Sequence, residues 1–156
     1  MPGGKAGLLA LLTPLALLGG AYVSQYGFGL FPCEMCWWQR YAHFAALALA
    51  VAALVMHGNR TMVALAAMAI GVSAAIGAFH AGVEYGWWQG FTACTANPAA
   101  GGGNPLDAIM NAPIVRCDVA PWSLLGISLA GWNFLISGAA ALAIAVLLRR
   151  PEGSGK

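Results

Sequence analysis

The chain has 156 residues, of which 60% are hydrophobic and only 8% are charged, whereas about 25% are charged in an ordinary globular domain. This composition excludes an ordinary water-soluble fold, because a chain of this size could not cover its surface with polar groups. The formal net charge of +2 is scattered rather than gathered in a basic stripe, so no nucleic-acid partner is expected.

Four apolar stretches free of Asp, Glu, Lys and Arg follow one another along the chain. A hydrocarbon core needs about 20 helical residues. Three stretches fit that length, and the second can extend backward through Trp37, Trp38 and Gln39 into the interface, where tryptophan is favoured. We therefore predict an all-α membrane protein, a four-transmembrane-helix bundle forming one domain over residues 1–150 with a tail over 151–156. The predicted spans cover residues about 8–26, 39–57, 61–80 and 124–148.

The first stretch has a second interpretation. Lys5, the apolar run and the small residues Gly19, Gly20 and Ala21 are also typical of a secretory signal peptide. The apolar character continues to Tyr26, which is long for a signal-peptide core of about 7–15 residues. A spanning helix is therefore favoured, and in both cases the chain after Tyr26 lies outside the cytoplasm.

Basic residues predict the orientation of the bundle, because they favour the cytoplasmic side. Five of the seven lie before the first span, between the second and third, or after the fourth: Lys5, Arg60, Arg149, Arg150 and Lys156. Both termini are therefore expected in the cytoplasm. The two remaining loops, residues 27–40 and 81–123, are separated by two spans, so they must emerge on the same outer face.

The second outer loop is long for a bundle connection. Leu106, Ile109, Met110 and Ile114 recur at helical spacing, which predicts a short helix in the membrane interface. Packing of this stretch against the bundle is an equally good interpretation. Residues 101–103, all glycine, are typical of a hinge before it.

The four cysteines lie in the two outer loops, Cys33 and Cys36 in the first and Cys94 and Cys117 in the second. The C-x-x-C spacing and the following helix both lower the pKa of a cysteine thiol, and Cys36, nearer the helix, is expected to gain most. The 22 residues between Cys94 and Cys117 suit a disulfide across a loop. They do not suit a zinc site, so no metal is expected, although His80 could act as a ligand. Two structural disulfides remain an alternative, but an exposed C-x-x-C is typical of reactive disulfides.

Three segments around the cysteines carry a recognisable pattern. They are Pro32-Cys33-Glu34-Met35-Cys36-Trp37-Trp38-Gln39-Arg40, the stretch from His80 through Glu84 and Trp88 to Cys94, and Arg116-Cys117-Asp118 followed by Pro121-Trp122-Ser123. Together they resemble the bacterial disulfide bond formation protein B (DsbB) family, over nearly the whole chain. The sequence departs from the best-known members in the acidic Glu34 and in a shorter distance between the loop cysteines.

The resemblance implies a membrane thiol–disulfide oxidoreductase that reoxidises a periplasmic thioredoxin-fold dithiol oxidase (DsbA-like) and reduces a membrane quinone, either ubiquinone or menaquinone. It implies that the partner's thiolate attacks Cys94, that Cys117 continues the exchange toward Cys33–Cys36, and that Cys36 faces the quinone. Such a partner is itself a strong oxidant near −120 mV, so only a more oxidising acceptor can drive the reaction. The implied location is the bacterial inner membrane, with the cysteine loops in the periplasm.

Three further residues are predicted to bind the quinone. Arg40 follows Cys36 at i+4 on the same helix face, and the family has an arginine there that contributes to quinone binding. The alternative is an interfacial arginine without a redox role. His80 and Glu84, also at i, i+4, could deliver protons, since histidine titrates near neutral pH; a polar cap at the helix end is the alternative. His43, deeper in the second span, could hydrogen-bond a neighbouring helix and is left without a functional role.

The paired tryptophans at 37–38 and 87–88, with Trp122, are predicted to form the outer aromatic belt, and one or two could line the quinone pocket. Two other functions stay open at this point. One is a quinone-linked thiol oxidase with another dedicated partner. The other is a disulfide-stapled membrane scaffold without catalysis.

Overall fold

The computed structural model describes residues 4–95 and 115–150. Within them lie four long helices: α1, Gly4–Phe28; α2, Glu34–Val55; α3, Arg60–Glu84; and α4, Leu129–Arg149. Each is long and apolar enough to cross a membrane, which confirms the predicted four-span bundle of a multi-pass membrane protein. The interfacial helix predicted around residues 106–114, the glycine hinge and the tail after residue 150 lie outside the described residues, and the assignment of residues 1–150 to one domain stays a prediction.

Polar side chains decide where the helices begin. α2 starts at Glu34, before the predicted residue 39, because the Sγ atom of Cys33 caps it and accepts a hydrogen bond from the Cys36 N–H. Asn59 caps α3 by accepting hydrogen bonds from two backbone N–H groups of the first turn. Capping side chains of this kind satisfy N–H groups that have no partner within the helix.

The last helix starts later than hydrophobicity predicts, at Leu129 rather than at 124. Strands β1 (Ser123–Leu124) and β2 (Ile127–Ser128) pair in an antiparallel hairpin instead. Leu125 and Gly126, between them, have positive φ angles of 55° and 77°, as a tight hairpin turn requires. A count of apolar residues does not register this turn.

The helices pack in chain order, and α4 closes the bundle against α1. One half of the interior is built from small residues, so the helix backbones approach closely, as is common in membrane bundles. The same closeness continues at Gly77 of α3, where a Cβ atom would lie 3.0 Å from the Ala130 carbonyl oxygen of α4. The buried residues of this half are Ala6, Ala10, Ala46, Ala50, Ala53, Val63, Ala66, Ala67, Ile70 and Ile144.

The hairpin is held against the C-terminal end of α3 by Tyr85. Its hydroxyl group donates to the Gly126 carbonyl oxygen at 3.1 Å and accepts from the Ser128 N–H at 2.9 Å. Ser128 in turn caps α4 through the Gly131 N–H. These bonds hold the start of α4 beside the ends of the other helices, where the cysteines lie.

Candidate redox site

The two cysteine pairs meet in one buried cluster at one end of the bundle. Cys33, Cys94 and Cys117 are buried there together with Val83, and Cys36 packs against them. Cys94 and Cys117 form a disulfide with a Cα–Cα distance of 5.4 Å. Cys33 and Cys36 are free thiols whose sulfur atoms lie 2.8 Å apart. The structure therefore brings together all four cysteines that the sequence singled out.

The C-x-x-C pair has two different surroundings. Cys33 is buried in the cluster that contains the loop disulfide, whereas Cys36 lines a cavity between the helices. Cys36 also packs against that cluster, so the pair as a whole lies between the loop disulfide and the cavity, and of the two residues only Cys36 lines the cavity. A pair arranged in this way is suited to receive electrons on one side and release them on the other.

Of the two C-x-x-C sulfurs, that of Cys33 has the surroundings that favour its ionised form. The hydrogen bond from the Cys36 side chain lowers the pKa of Cys33 to about 5, against the effect of burial and with further help from His80. The His80 Nε2 atom lies 3.5 Å from the sulfur, and the Cys36 N–H donates to it at 3.3 Å. The prediction that Cys36 gains most from the helix N-terminus was wrong, because Cys33 is the capping residue and receives the helix N–H.

This arrangement predicts an unusually acidic thiol. In the Cys94→Ala/Cys117→Ala double variant, with the C-x-x-C pair reduced, thiolate absorbance near 240 nm should rise with an inflection at about pH 5, and the thiol should be ionised above it. Replacing His80 with asparagine should move the inflection to higher pH, since a donor to the thiolate is lost. A wild-type inflection near pH 8.5, the value of an ordinary cysteine, would contradict the geometry.

His80 is held with one ring nitrogen toward the sulfur. Its Nδ1 atom lies 3.0 Å from the Gln39 amide nitrogen, which also donates to the Met35 carbonyl oxygen at 3.2 Å. A carbonyl oxygen can only accept a hydrogen bond, so it is the Gln39 amide nitrogen, not the amide oxygen, that faces Met35 and His80. This nitrogen therefore donates to His80 Nδ1, and the ring proton of His80 is on Nε2, toward Cys33. Glu84 lies one turn further on, with its Oε1 atom 3.7 Å from the His80 Nε2 atom.

Arg40 is buried, with 7% of its surface exposed. Its guanidinium group donates to the Gln25 side-chain oxygen at 2.6 Å and to the Ala21 carbonyl oxygen at 3.2 Å. The same group lies over the rings of Tyr22 and Trp37, at 5.0 and 5.1 Å. These contacts fix a positive charge at the wall of the cavity.

A polar network joins α2, α3 and α4, and the sequence analysis did not predict it as a whole. The Asn133 amide nitrogen donates to the Gln39 side-chain oxygen at 2.7 Å, and the Asn133 oxygen lies 2.9 Å from His43 Nε2. Ser73 and Ser137 also contact His43. Polar residues inside apolar spans are costly and commonly functional, and that was the signal that could have found them.

The cavity has a volume of about 390 Å³, within the range of small-molecule sites. Apolar side chains of α1 and α4 form much of its wall, and Trp122 of the predicted aromatic belt lines it as well. Trp88 instead stacks on Phe79 and donates to its carbonyl oxygen. The polar side chains on the wall include Cys36, Gln39, Arg40, His43, His80 and Glu84. Three of these, Arg40, His80 and Glu84, are the predicted quinone ligands.

A metal ion could be held in one place among the described residues. The donor atoms of Cys33, Cys36 and His80 lie within 4.8 Å of one another. The orientation of His80 presents an N–H group to the sulfur rather than a lone pair, which favours thiol chemistry there. The expected absence of a metal stays a prediction.

Comparison with known proteins agrees with the pattern of cysteines. A family model described as disulfide bond formation protein DsbB matches residues 5–147. A disulfide bond formation protein B of Shewanella frigidimarina is 31% identical over 136 residues, covering 81% of this chain and 79% of the relative. The protein of that name from Verminephrobacter eiseniae is 30% identical over 150 residues, covering 91% and 84%, and that of Aromatoleum aromaticum is 29% identical, covering 94% and 92%. No solved structure gives a significant match.

Proposed function

Because the chain belongs to the disulfide bond formation protein DsbB family, whose members form disulfide bonds in a membrane, we propose that it is a protein-dithiol:quinone oxidoreductase. It reoxidises a periplasmic thioredoxin-fold dithiol oxidase and passes the electrons to ubiquinone or menaquinone. The observation that carries this proposal is the two-sided C-x-x-C pair. Cys33 shares a buried cluster with the loop disulfide, and Cys36 lines the cavity.

Electrons enter at the loop disulfide. Cys94 is 7% exposed and Cys117 is fully buried, so the partner's thiolate attacks the Cys94 sulfur and Cys117 leaves as a thiolate. The Thr92 hydroxyl group lies 3.0 Å from the Cys94 sulfur and 3.8 Å from that of Cys117, where it can donate to either. The partner's second thiol then displaces Cys94, which leaves the partner oxidised and the loop pair reduced.

The loop pair next reduces an oxidised Cys33–Cys36 pair. The Cys117 thiolate attacks the sulfur of Cys33, which lies in the same cluster, and Cys36 leaves as a thiolate that takes up the proton given up by Cys117. Cys94 then attacks the Cys117 sulfur, which restores the loop disulfide and releases Cys33 as a thiolate. A thiol of low pKa is a good leaving group, and the pKa of Cys33 is lowered to about 5.

The cavity beside Cys36 fits a quinone. It is largely apolar and of suitable size, and among the described residues the His43 Nδ1 and Glu84 Oε2 atoms are buried without a hydrogen-bond partner. A quinone takes up two electrons and two protons and becomes a hydroquinone. Arg40, with only part of its five N–H groups used, stabilises negative charge at the cavity wall. As their disulfide forms, Cys33 and Cys36 supply two electrons and Cys36 supplies one proton; the second proton comes from water, because Cys33 is already ionised.

The partner-binding step has a direct test. A thioredoxin-fold dithiol oxidase whose buried cysteine is replaced by serine should form a stable mixed disulfide with this protein, and peptide mapping should place it on Cys94. A Cys94→Ser protein, which has no loop disulfide, should not form the complex. A mixed disulfide mapped to Cys33 or Cys36 would contradict the proposed order of exchange.

The proposed location is the bacterial inner membrane, with both termini in the cytoplasm. Lys5 in the first turn of α1, Arg60 at the start of α3, and Arg149 and Arg150 at the end of α4 support this orientation. The redox site then faces the periplasm, where an oxidising environment lets disulfides persist.

A further inference from the structure

We propose that His43 is a ligand for the reduced quinone and that its Nδ1 atom accepts a hydrogen bond from a hydroquinone hydroxyl group in the inner part of the cavity. The inference rests on the proposed function and deepens it, because it assigns a residue that distinguishes the product from the substrate. His43 lies seven residues after Cys36 on α2, two helical turns or about 10 Å further along the helix axis.

His43 is buried and lines the cavity. Only 3% of its surface is exposed, it forms part of the cavity wall, and Nδ1 has no hydrogen-bond partner among the described residues. Buried polar atoms in proteins are paired in the great majority of cases, with protein, water or ligand. An unpaired buried nitrogen in a residue that lines the cavity therefore points to a partner that reaches it from the cavity.

Two backbone carbonyl groups fix the direction of the hydrogen bonds that reach His43. The Gln39 amide nitrogen donates to the Met35 carbonyl oxygen, so the other end of that amide, its oxygen, accepts from Asn133 at 2.7 Å. The Asn133 amide nitrogen also donates to the Ser73 carbonyl oxygen at 3.2 Å. Because neither carbonyl can donate, the orientations of both side-chain amides are determined.

The tautomer of His43 follows from this chain. The Asn133 oxygen lies 2.9 Å from the His43 Nε2 atom, and an oxygen acceptor at that distance requires the proton on Nε2. In the neutral ring the other nitrogen then carries no proton and can only accept. Nδ1 therefore needs a donor in the cavity.

An acceptor in this position discriminates between the two forms of a quinone. The oxygen atoms of a quinone only accept hydrogen bonds, so they gain nothing from Nδ1, whereas each hydroxyl group of a hydroquinone donates one. The network behind His43 continues through Asn133 and Gln39 to His80, beside Cys33. The His43 ring is thus held by the same network of side chains that positions His80 beside the reactive Cys33 thiol.

Equilibrium binding tests this inference without turnover. In a Cys33→Ser/Cys36→Ser background, which cannot exchange electrons with the ligand, the dissociation constants of decylubiquinone and decylubiquinol are measured by tryptophan fluorescence quenching. His43→Phe keeps a ring of similar size and removes both nitrogens. It should weaken decylubiquinol binding about tenfold, as expected for one lost hydrogen bond to a buried group, and change decylubiquinone binding less than about threefold.

Two further variants make the result specific. His43→Gln keeps a donor for Asn133 and an oxygen acceptor for the ligand, so it should retain the preference for the reduced form within about threefold. His57→Asn, at an exposed position in the turn between α2 and α3, removes a histidine away from the cavity and should leave both constants unchanged.

Equal weakening of both forms by His43→Phe, or no change, would overturn the role of His43 while leaving the quinone proposal intact. Loss of the preference for the reduced form in His43→Gln, which keeps both hydrogen-bonding groups, would also overturn it. If neither decylubiquinone nor decylubiquinol bound the protein with His43 in place, the quinone proposal would be overturned instead, and this inference with it.

Discussion

Replacing Cys36 with serine is expected to stop quinone reduction and to leave a single round of partner oxidation. The loop disulfide of Cys94 and Cys117 can still accept two electrons from one partner molecule, but the Cys33 thiol alone cannot form the C-x-x-C disulfide that passes them on. Rapid-mixing measurements of partner thiols and quinone absorbance should show about one equivalent of partner oxidised per protein and no hydroquinone, since thiol–disulfide exchange needs both sulfurs of the pair.

The other cysteine variants provide matched controls for this result. Cys94→Ser and Cys117→Ser remove the loop disulfide, so they should lose even the first equivalent of partner oxidation. Cys33→Ser should behave like Cys36→Ser. If any one of the four single variants kept full turnover, the relay through both pairs would be wrong.

Arg40→Leu is expected to raise the KM for quinone by about tenfold to a hundredfold. A hydrogen bond to a charged group contributes about 1.5–3 kcal/mol, and each 1.4 kcal/mol is a factor of ten in affinity. The guanidinium group is held on the cavity wall by Gln25 and Ala21, so its loss removes a fixed charge there. Steady-state quinone reduction, with quinone as the varied substrate, measures the effect.

Two controls separate binding from folding in the Arg40 experiment. Arg40→Lys keeps the charge but not the planar fork of donors, so its KM should fall between those of the wild type and Arg40→Leu. Thermal unfolding in detergent should show that Arg40→Leu remains folded, although loss of the donor to Ala21 should lower the unfolding free energy by about 1–3 kcal/mol. An unchanged KM in folded Arg40→Leu protein would show that the arginine only joins α2 to α1.

The position of the acidic residue in the C-x-x-C segment bears on its redox chemistry. Glu34 is exposed at the first position of α2, where a negative charge is favourable near the helix N-terminus. Water screens its charge there, and the Cys33 sulfur is stabilised by donors from Cys36 and His80 instead. The departure from the best-known members of the family is therefore compatible with an acidic Cys33 thiol.

The sequence carried enough information for the bundle and for the meeting of the cysteines. Apolar length predicts four spans, and the two spans between the loops place Cys33–Cys36 and Cys94–Cys117 on one face. The i, i+4 spacing from Cys36 to Arg40 likewise predicts that both lie on one side of α2, and both line the cavity. These features depend on local periodicity and on counting helices, which a single sequence supplies.

Other features depend on contacts between helices and could not be read from periodicity. Asn133 is a lone amide in an apolar helix, and only packing of α4 against α2 places it between Gln39 and His43. The choice of Cys33 rather than Cys36 as the helix cap depends on where α2 begins, and helix boundaries are the least certain part of a sequence prediction. The hairpin at residues 123–128 depends on the backbone angles of Leu125 and Gly126.

The central claim is that this protein passes electrons from a dithiol protein to a quinone, and stopped-flow quinone absorbance tests it most directly. Purified wild-type protein in detergent, mixed with a reduced thioredoxin-fold dithiol oxidase and excess ubiquinone or menaquinone analogue, should form one hydroquinone for each partner disulfide formed. No absorbance change with either quinone and with several such partners would contradict the account, and would favour a membrane scaffold in which the cysteines have no catalytic role.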